Sequence, residues 1–305
     1  MPARSQTPVI FLIFNRPEAT RAVFERIRAA QPVKLIIVSD GPRPDRPDEE
    51  AKVWAARAIT EEIDWPCEVQ RDYAAVNLGC RERVSTGLTN AFRQVDQAII
   101  LEDDCLPDPS FFRFCENLLA RYRDEPRVSA ISGTSFFPFP KFAYSYKFSS
   151  YPHFWGWATW ARAWKRYADT ESRWLEARDR HRLIEHACPS QHEFRYWERA
   201  LDSCFDGTLS SWGYQWMLTG WLHKTLTVVP QHNLIANIGF GETATHTTSR
   251  HFAALPVNSI GPLRHPPSIV HDAALDRRLS VQVLGSDRRW SSRILQRLTS
   301  TIRLR

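Results

Sequence analysis

The chain has 305 residues, 43% hydrophobic and 24% charged, with a formal net charge of +6. That length can bury a full core in one large domain or two small ones. The modest basic excess suits anionic ligands, but it lacks the Lys/Arg clusters with interleaved aromatics that would point to nucleic acid.

In chain order, Val9–Phe14 is a continuous apolar run, the pattern of a strand covered on both faces. Pro17 opens a helix, with Asn15 before it and Glu18 in its first turn, and Pro32 ends it. Leu35–Ser39 is a second buried strand, stopped by Asp40-Gly41-Pro42, and a Pro- and charge-rich loop runs on to Glu50. Val53, Ala56, Ile59 and Ile63 mark the next helix, and a short strand follows near Cys67–Gln70. After the turn at Asn77-Leu78-Gly79, Val84, Leu88, Ala91 and Val95 mark a third helix. Ala98–Leu101 is the fourth strand, followed at once by Glu102-Asp103-Asp104. Asp108-Pro109 starts a helix that buries Phe111, Cys115, Leu118 and Tyr122, and Val128–Ser132 is a fifth strand. Such repeated strand–helix units imply an α/β fold with a mostly parallel central sheet and flanking helices.

Beyond Phe136 the regularity fails. Phe136–Trp164 is crowded with aromatics, and the spacing of Trp157, Trp160 and Trp164 suggests one helical face packed in the core. Arg178–Phe205 reads as helical, Leu226–Val229 as a strand and Gly239–Thr248 as a loop. Asp276–Arg305 carries eight arginines against two aspartates, with Trp290, Ile294, Leu298 and Ile302 recurring every four residues. A basic amphipathic helix on a membrane surface and a solvated tail both fit that segment. The boundaries that follow are 1–135, 136–250 and a basic extension 251–305. Six scattered cysteines without C-x-x-C spacing suit reduced, packed thiols. No apolar stretch approaches bilayer-spanning length, and no secretory apolar region opens the chain. A cytoplasmic protein is therefore expected, at most peripheral at the inner membrane face.

The acidic triplet sits where an open α/β sheet binds ligands, beyond the carboxyl end of a strand. Adjacent carboxylates repel one another unless a cation joins them. Mg²⁺ or Mn²⁺ takes oxygen ligands of this kind and also bridges diphosphate oxygens. A solvated acidic loop is the plain alternative.

Val9–Pro17, Val38-Ser39-Asp40-Gly41 and Ile99–Asp104, in that order, resemble the nucleotide-binding half of GT-A glycosyltransferases of the N-acetylglucosaminyltransferase I type. These use Glu-Asp-Asp where others use Asp-x-Asp. Asn237-Ile238-Gly239-Phe240-Gly241-Glu242-x-Ala244-Thr245-His246-Thr247 is similar to a motif of bacterial, glycosyltransferase family 2-like proteins, some labelled hemolytic-protein-like. The resemblance implies a GT-A (nucleotide-diphospho-sugar transferase) fold and a metal-dependent, inverting transfer. The donor would be a nucleotide-sugar, a UDP-sugar by preference, and the acceptor a glycan or lipid-linked glycan, as in polysaccharide biosynthesis. It places Asn15 and Arg16 at the nucleotide, with Arg16 on the diphosphate, and Asp40 on the base imide. Glu102 and Asp103 would hold the ribose or donor sugar. Asp104 would bind the metal, with His246 as a second ligand.

The segment Pro152–Trp160 resembles the aromatic stretch that follows the nucleotide half in these proteins, with Trp155 the candidate sugar-stacking ring. Inverting transfer requires a carboxylate base. The relatives carry it in a segment resembling Asp-x-Trp-Asp-Tyr-x-Trp, where this chain has Ser210-Ser211-Trp212-Gly213-Tyr214-Gln215-Trp216. Both acidic positions are absent, leaving Asp206 and Glu242 as candidates. A GT-A domain that binds nucleotide-sugar or glycan without transferring it is the alternative. A nucleotidyltransferase would place a Gly-rich, lysine-bearing loop after the first strand, and Phe14-Asn15-Arg16-Pro17 has neither.

Overall fold

A computed structural model describes residues 4–136, 143–188, 190–239 and 255–284. Its centre is an eight-stranded sheet built from β1 (Val9–Ile13), β2 (Lys34–Ser39), β3 (Glu68–Tyr73), β4 (Gln97–Glu102), β6 (Val128–Ser132), β7 (Tyr146–Ser149), β8 (Trp157–Trp160) and β9 (Leu226–Pro230). The order is β3-β2-β1-β4-β8-β6-β9-β7. Six strands run one way, and β7 and β8 run against them. The fold is therefore α/β with a mixed, mostly parallel sheet and helices on both faces.

The first four strands follow the sequence reading: β1, β2 and β4 are apolar runs buried on both sides, and β3 is a polar, half-exposed edge strand. All five residues of β1 are at most 6% exposed. Helices α1 (Pro17–Ala30) and α4 (Ser110–Arg121) cover one face over Val9, Phe11, Leu35, Ile99 and Leu101. Helix α3 (Cys80–Ala91) and helix α9 (Trp212–Leu222) cover the other, over Ile10, Leu12, Ile36 and Ile100. Helix α2 (Glu49–Ile59) packs beside α1.

One reading changes. Strand β8 inserts antiparallel between β4 and β6, matching Ile100 with Trp157 and Ser132 with Trp157. Trp157 and Trp160 therefore lie on a strand, not a helix. Residues three apart on a strand face opposite ways, and the two indoles join opposite cores. Trp164 lies in α5 (Ala161–Trp164), in the same core as Trp157.

A two-stranded ribbon pairs β5 (Cys105–Pro107) with β10 (Ile235–Asn237), just past the acidic triplet. A third apolar cluster gathers α6 (Thr170–Leu175), α7 (Arg180–Ile184), α8 (Gln191–Phe205), α9 and α10 (Ala273–Leu284). Among the described residues, no helix is long and apolar enough to cross a membrane. All six cysteines are unpaired thiols, four of them buried.

Candidate active site

β1, β2 and β4 are neighbours and parallel, so the residues after them emerge at one sheet end. From β1 the chain winds outward to β2 and β3, then returns to β1's other side as β4. The crevice between β1 and β4 is thus a topological switch point, where ligands bind in open α/β sheets. Arg16 lies just past one lip, Glu102-Asp103-Asp104 on the other.

The two lips are tied together. Phe14 N donates to Asp103 Oδ2 (3.1 Å), and Arg16 Nη1 donates to Asp104 Oδ2 (2.7 Å) and reaches Asp103 Oδ1 (3.5 Å). Burial, then the charges of Asp104 and Asp103, push the Glu102 carboxyl upward. Burial and Asp104 do the same to Asp103, against Arg16 and the Phe14 N–H. Register sets the direction of Glu102: it pairs with Leu12, and the side chains of Leu12 and Ile100 belong to the core under α3 and α9. No hydrogen bond to its carboxylate is formed among the described residues. Cys80, at the start of α3, faces the same charges. Its thiol is pushed up to about 12 by burial, then by Glu102, Asp40 and Asp104.

Antiparallel pairing of β10 with β5 carries Asn237-Ile238-Gly239 onto the triplet. Ile238 N donates to Asp104 O (2.8 Å). A Cβ on Gly239 would fall 2.1 Å from Asp104 Oδ2, so only glycine allows this approach. Two segments far apart in sequence are joined here. Glu242 and His246 lie outside the described residues.

Asp40 is occupied within the protein. Oδ1 accepts from Gly41 N and Leu78 N (both 2.9 Å), and Oδ2 from Asn77 Nδ2 and Gly79 N (both 3.0 Å). Four donors fill both oxygens, so this carboxylate orders the loops after β2 and before α3 and leaves no lone pair for a base imide. Asn15 is likewise engaged: Nδ2 donates to Glu49 Oε1 (2.8 Å). Glu49, 5% exposed, also accepts from Arg43 N (2.8 Å) and the Arg43 guanidinium. Arg57 and Arg83, both buried, donate to Ser39 and to the carbonyls of Asp40, Ala74, Ser39 and Asp72. Periodicity flags none of these three, since each acts through loop backbone brought close only by the fold.

The acceptor-side departures have a packing reason. A Cβ at Gly213 would meet the outer edge of the Phe154 ring at 2.5 Å, so an aspartate there would require that ring to move. Trp212 stacks on Trp157 with centroids 5.6 Å apart and planes at 19°. Ser210 Oγ accepts from Arg81 N (3.2 Å), and Arg81 pairs with Glu171 (2.6 Å). Asp206 is fully exposed at the end of α8 and accepts from Thr208 N (2.8 Å). Thr208 hydrogen bonds hold its carboxyl below the usual range, which makes it a weaker base. Trp155 is half-buried, with Phe136 edge-on to it at 5.0 Å. His153 is 4% exposed, and neither ring nitrogen has a hydrogen-bond partner among the described residues. Unmet buried polar groups cost about 1–3 kcal/mol each.

No family model matches the chain, and no curated protein does. Among solved structures it overlaps mouse xyloside xylosyltransferase 1 at TM-score 0.35 and 11% identity, over 70% of this chain and 81% of that one. It also overlaps a cytidylyltransferase from Leptospira borgpetersenii serovar Hardjo-bovis at TM-score 0.35 and 10% identity, over 54% and 64%. A 4-diphosphocytidyl-2C-methyl-D-erythritol synthase from Anaerococcus prevotii gives TM-score 0.35 and 11% identity, over 59% and 84%. The chain thus spans less than two thirds of the cytidylyltransferase. Overlaps this loose bear on neither substrate nor chemistry.

The donor set can be tested against a divalent ion. No three His, Cys, Asp or Glu side chains converge on one point among the described residues. Mg²⁺ and Mn²⁺ sites often use one or two carboxylates, with substrate phosphates and water completing the shell. Hard oxygens beside a guanidinium already held at 2.7 Å from Asp104 fit that arrangement.

Proposed function

We propose that the chain is a GT-A transferase that takes a sugar from a nucleotide-diphosphate donor, a UDP-sugar by preference, to a glycan or lipid-linked acceptor. The observation that carries the reading is Arg16 held against Asp103 and Asp104 at the β1/β4 switch point. Cation and carboxylates lie together there, as a metal–diphosphate complex requires. Asp104 would hold Mn²⁺ or Mg²⁺, with His246 as a second ligand, and the bound ion would neutralise charge developing on the leaving diphosphate.

The chain's own groups supply the rest. Arg16 exchanges part of its carboxylate pairing for diphosphate oxygens, through a charge-assisted fork. Asp103 keeps the end of β1 fixed through Phe14 N–H. Glu102, without a hydrogen-bond donor among the described residues, accepts from a ribose or donor-sugar hydroxyl. Asp40 and Asn15 shape the nucleotide side through the loops they brace.

A thermal-shift screen of nucleotides and nucleotide-sugars, with and without Mn²⁺, tests the donor half. UDP or a UDP-sugar should stabilise the protein only with metal. EDTA should abolish donor turnover and Mn²⁺ restore it. Losing several kcal/mol of charge stabilisation at Asp104→Ala should lower kcat/KM by more than about 100-fold with the fold intact. Normal turnover by that variant would sink the assignment.

A second reading, a GT-A domain that binds nucleotide-sugar or glycan without transfer, is favoured by one observation. Phe154 fills the space at Gly213 and Ser210 is engaged with Arg81, where the relatives carry their acids. It predicts metal-dependent nucleotide binding by calorimetry with no transfer to any acceptor.

A further inference from the structure

The loop before β8 and the loop after β6 emerge at the sheet end that carries the triplet, because Ile100, Trp157 and Ser132 are paired across the three strands. Backbone and side-chain bonds join these loops: Gly133 N donates to Gly156 O (2.7 Å) and Thr134 Oγ1 to Trp155 O (2.6 Å). Ile235, at the start of β10, packs against Gly156, and β10 leads straight to the residues touching Asp104. An aromatic shell is thereby fixed beside the donor crevice.

His153 is the polar member of that shell. Phe136 packs tilted against its imidazole, with centroids 4.9 Å apart and planes at 30°, and edge-on to Trp155. Asp276, the acid that acts on His153 electrostatically, is taken by Ser149, Ser150 and His271. Burial drives the imidazole down to about 4, so the ring is neutral near pH 7. A neutral imidazole has one N–H donor and one nitrogen acceptor. Here both nitrogens are buried, with Phe136 against the ring, and neither has a partner among the described residues.

Resting on the transferase reading, we propose that Phe136, His153 and Trp155 form the acceptor-sugar subsite, with His153 binding an acceptor hydroxyl. A pyranose presents C–H faces suited to aromatic rings and hydroxyls that both donate and accept. That is the chemistry this shell lacks in itself. His153 acts by binding and is not assigned as the base.

The test uses the full chain labelled at its histidines, observed by NMR. Probes are the p-nitrophenyl glycosides of glucose, galactose, mannose and N-acetylglucosamine, with UDP release from UDP-sugars followed separately. At least one glycoside should shift or broaden the His153 ring resonances. His153→Phe should raise the KM of any glycoside that is turned over by about tenfold or more, the equivalent of about one hydrogen bond. It should leave acceptor-free UDP release unchanged, and His153→Gln should restore most of the loss. The subsite is overturned if no glycoside perturbs His153 while Mn²⁺-dependent UDP binding is present. It is also overturned if His153→Phe is only more stable, with acceptor KM unaltered, as a ring that merely orders water would be. Glycoside-dependent shifts without any UDP binding would support the subsite and refute the transferase reading, so the two failures are distinct.

Discussion

Asp40 shows how a residue read as a ligand contact can belong to the frame. Its four bonds join the end of β2 to the turn before α3. Asp40→Asn turns one acceptor oxygen into a donor facing two N–H donors. Stability should fall by about 2–4 kcal/mol, measured by urea unfolding, since unmet buried donors cost roughly 1–3 kcal/mol each. Full stability with only nucleotide binding lost would restore the base-contact role. Gly239 makes the complementary point. The sequence marks it as a loop glycine, and its reason is the Asp104 carboxylate 135 positions earlier in the chain, against which no side chain fits.

Among the elements, α10 is the one whose docking should depend on pH. Its Asp276, 7% exposed, accepts from Ser150 N (2.8 Å), from the Ser149 and Ser150 hydroxyls, and from His271 Nε2 (2.6 Å). Lys147 pairs with Asp272 beside it. The Asp276 hydrogen bond raises His271 above its ordinary 6.5. That contribution is complete below the unfolded value and is lost as pH rises through the folded one. Burial works to raise Asp276, but His271 and the serines hold it below 3.8, so its contribution is present above that value and lost as pH falls through the folded one. Protection factors from hydrogen exchange in α10 should therefore be greater at pH 5.5 than at pH 8.5, and His271→Gln should remove the difference. An unchanged profile in that variant would show that the latch is not the cause. Leu275 and Leu279 are buried beneath α10, and nothing local links Asp276 to two serines 126 and 127 residues away.

For the whole molecule, the two sheet edges are managed differently. β3 is charged and half-exposed, with Glu68 paired to Lys34 and Arg71 to Glu61, which discourages edge-to-edge pairing. β7 is covered instead: Phe148 bridges His271, and Asp272 N donates to Phe148 O (2.8 Å). Removing residues 270–305 would bare that edge and expose the Leu275 and Leu279 sites. Two leucines are worth about 3–6 kcal/mol together, against a total near 5–15 kcal/mol for a domain. Such a chain should unfold at much lower temperature or aggregate, whereas one ending at residue 284 keeps every contact described. Equal melting temperatures for both would refute this role of α10.

The sequence by itself determined the first four strands, their intervening helices and the position of Glu102-Asp103-Asp104 at a strand end. Strands buried on both faces need unbroken apolar runs, and amphipathic helices need a 3.6-residue period, so both are written locally. Only the tertiary structure decided that Trp157–Trp160 is an antiparallel strand between β4 and β6, because a short aromatic run carries no period that separates strand from helix. It also decided that Asp40 and Asn15 face protein partners, that the Phe154 ring lies against Gly213, and that Gly239 meets Asp104. Each of these depends on contacts between segments distant in the chain, where sequence spacing holds no information about separation in space.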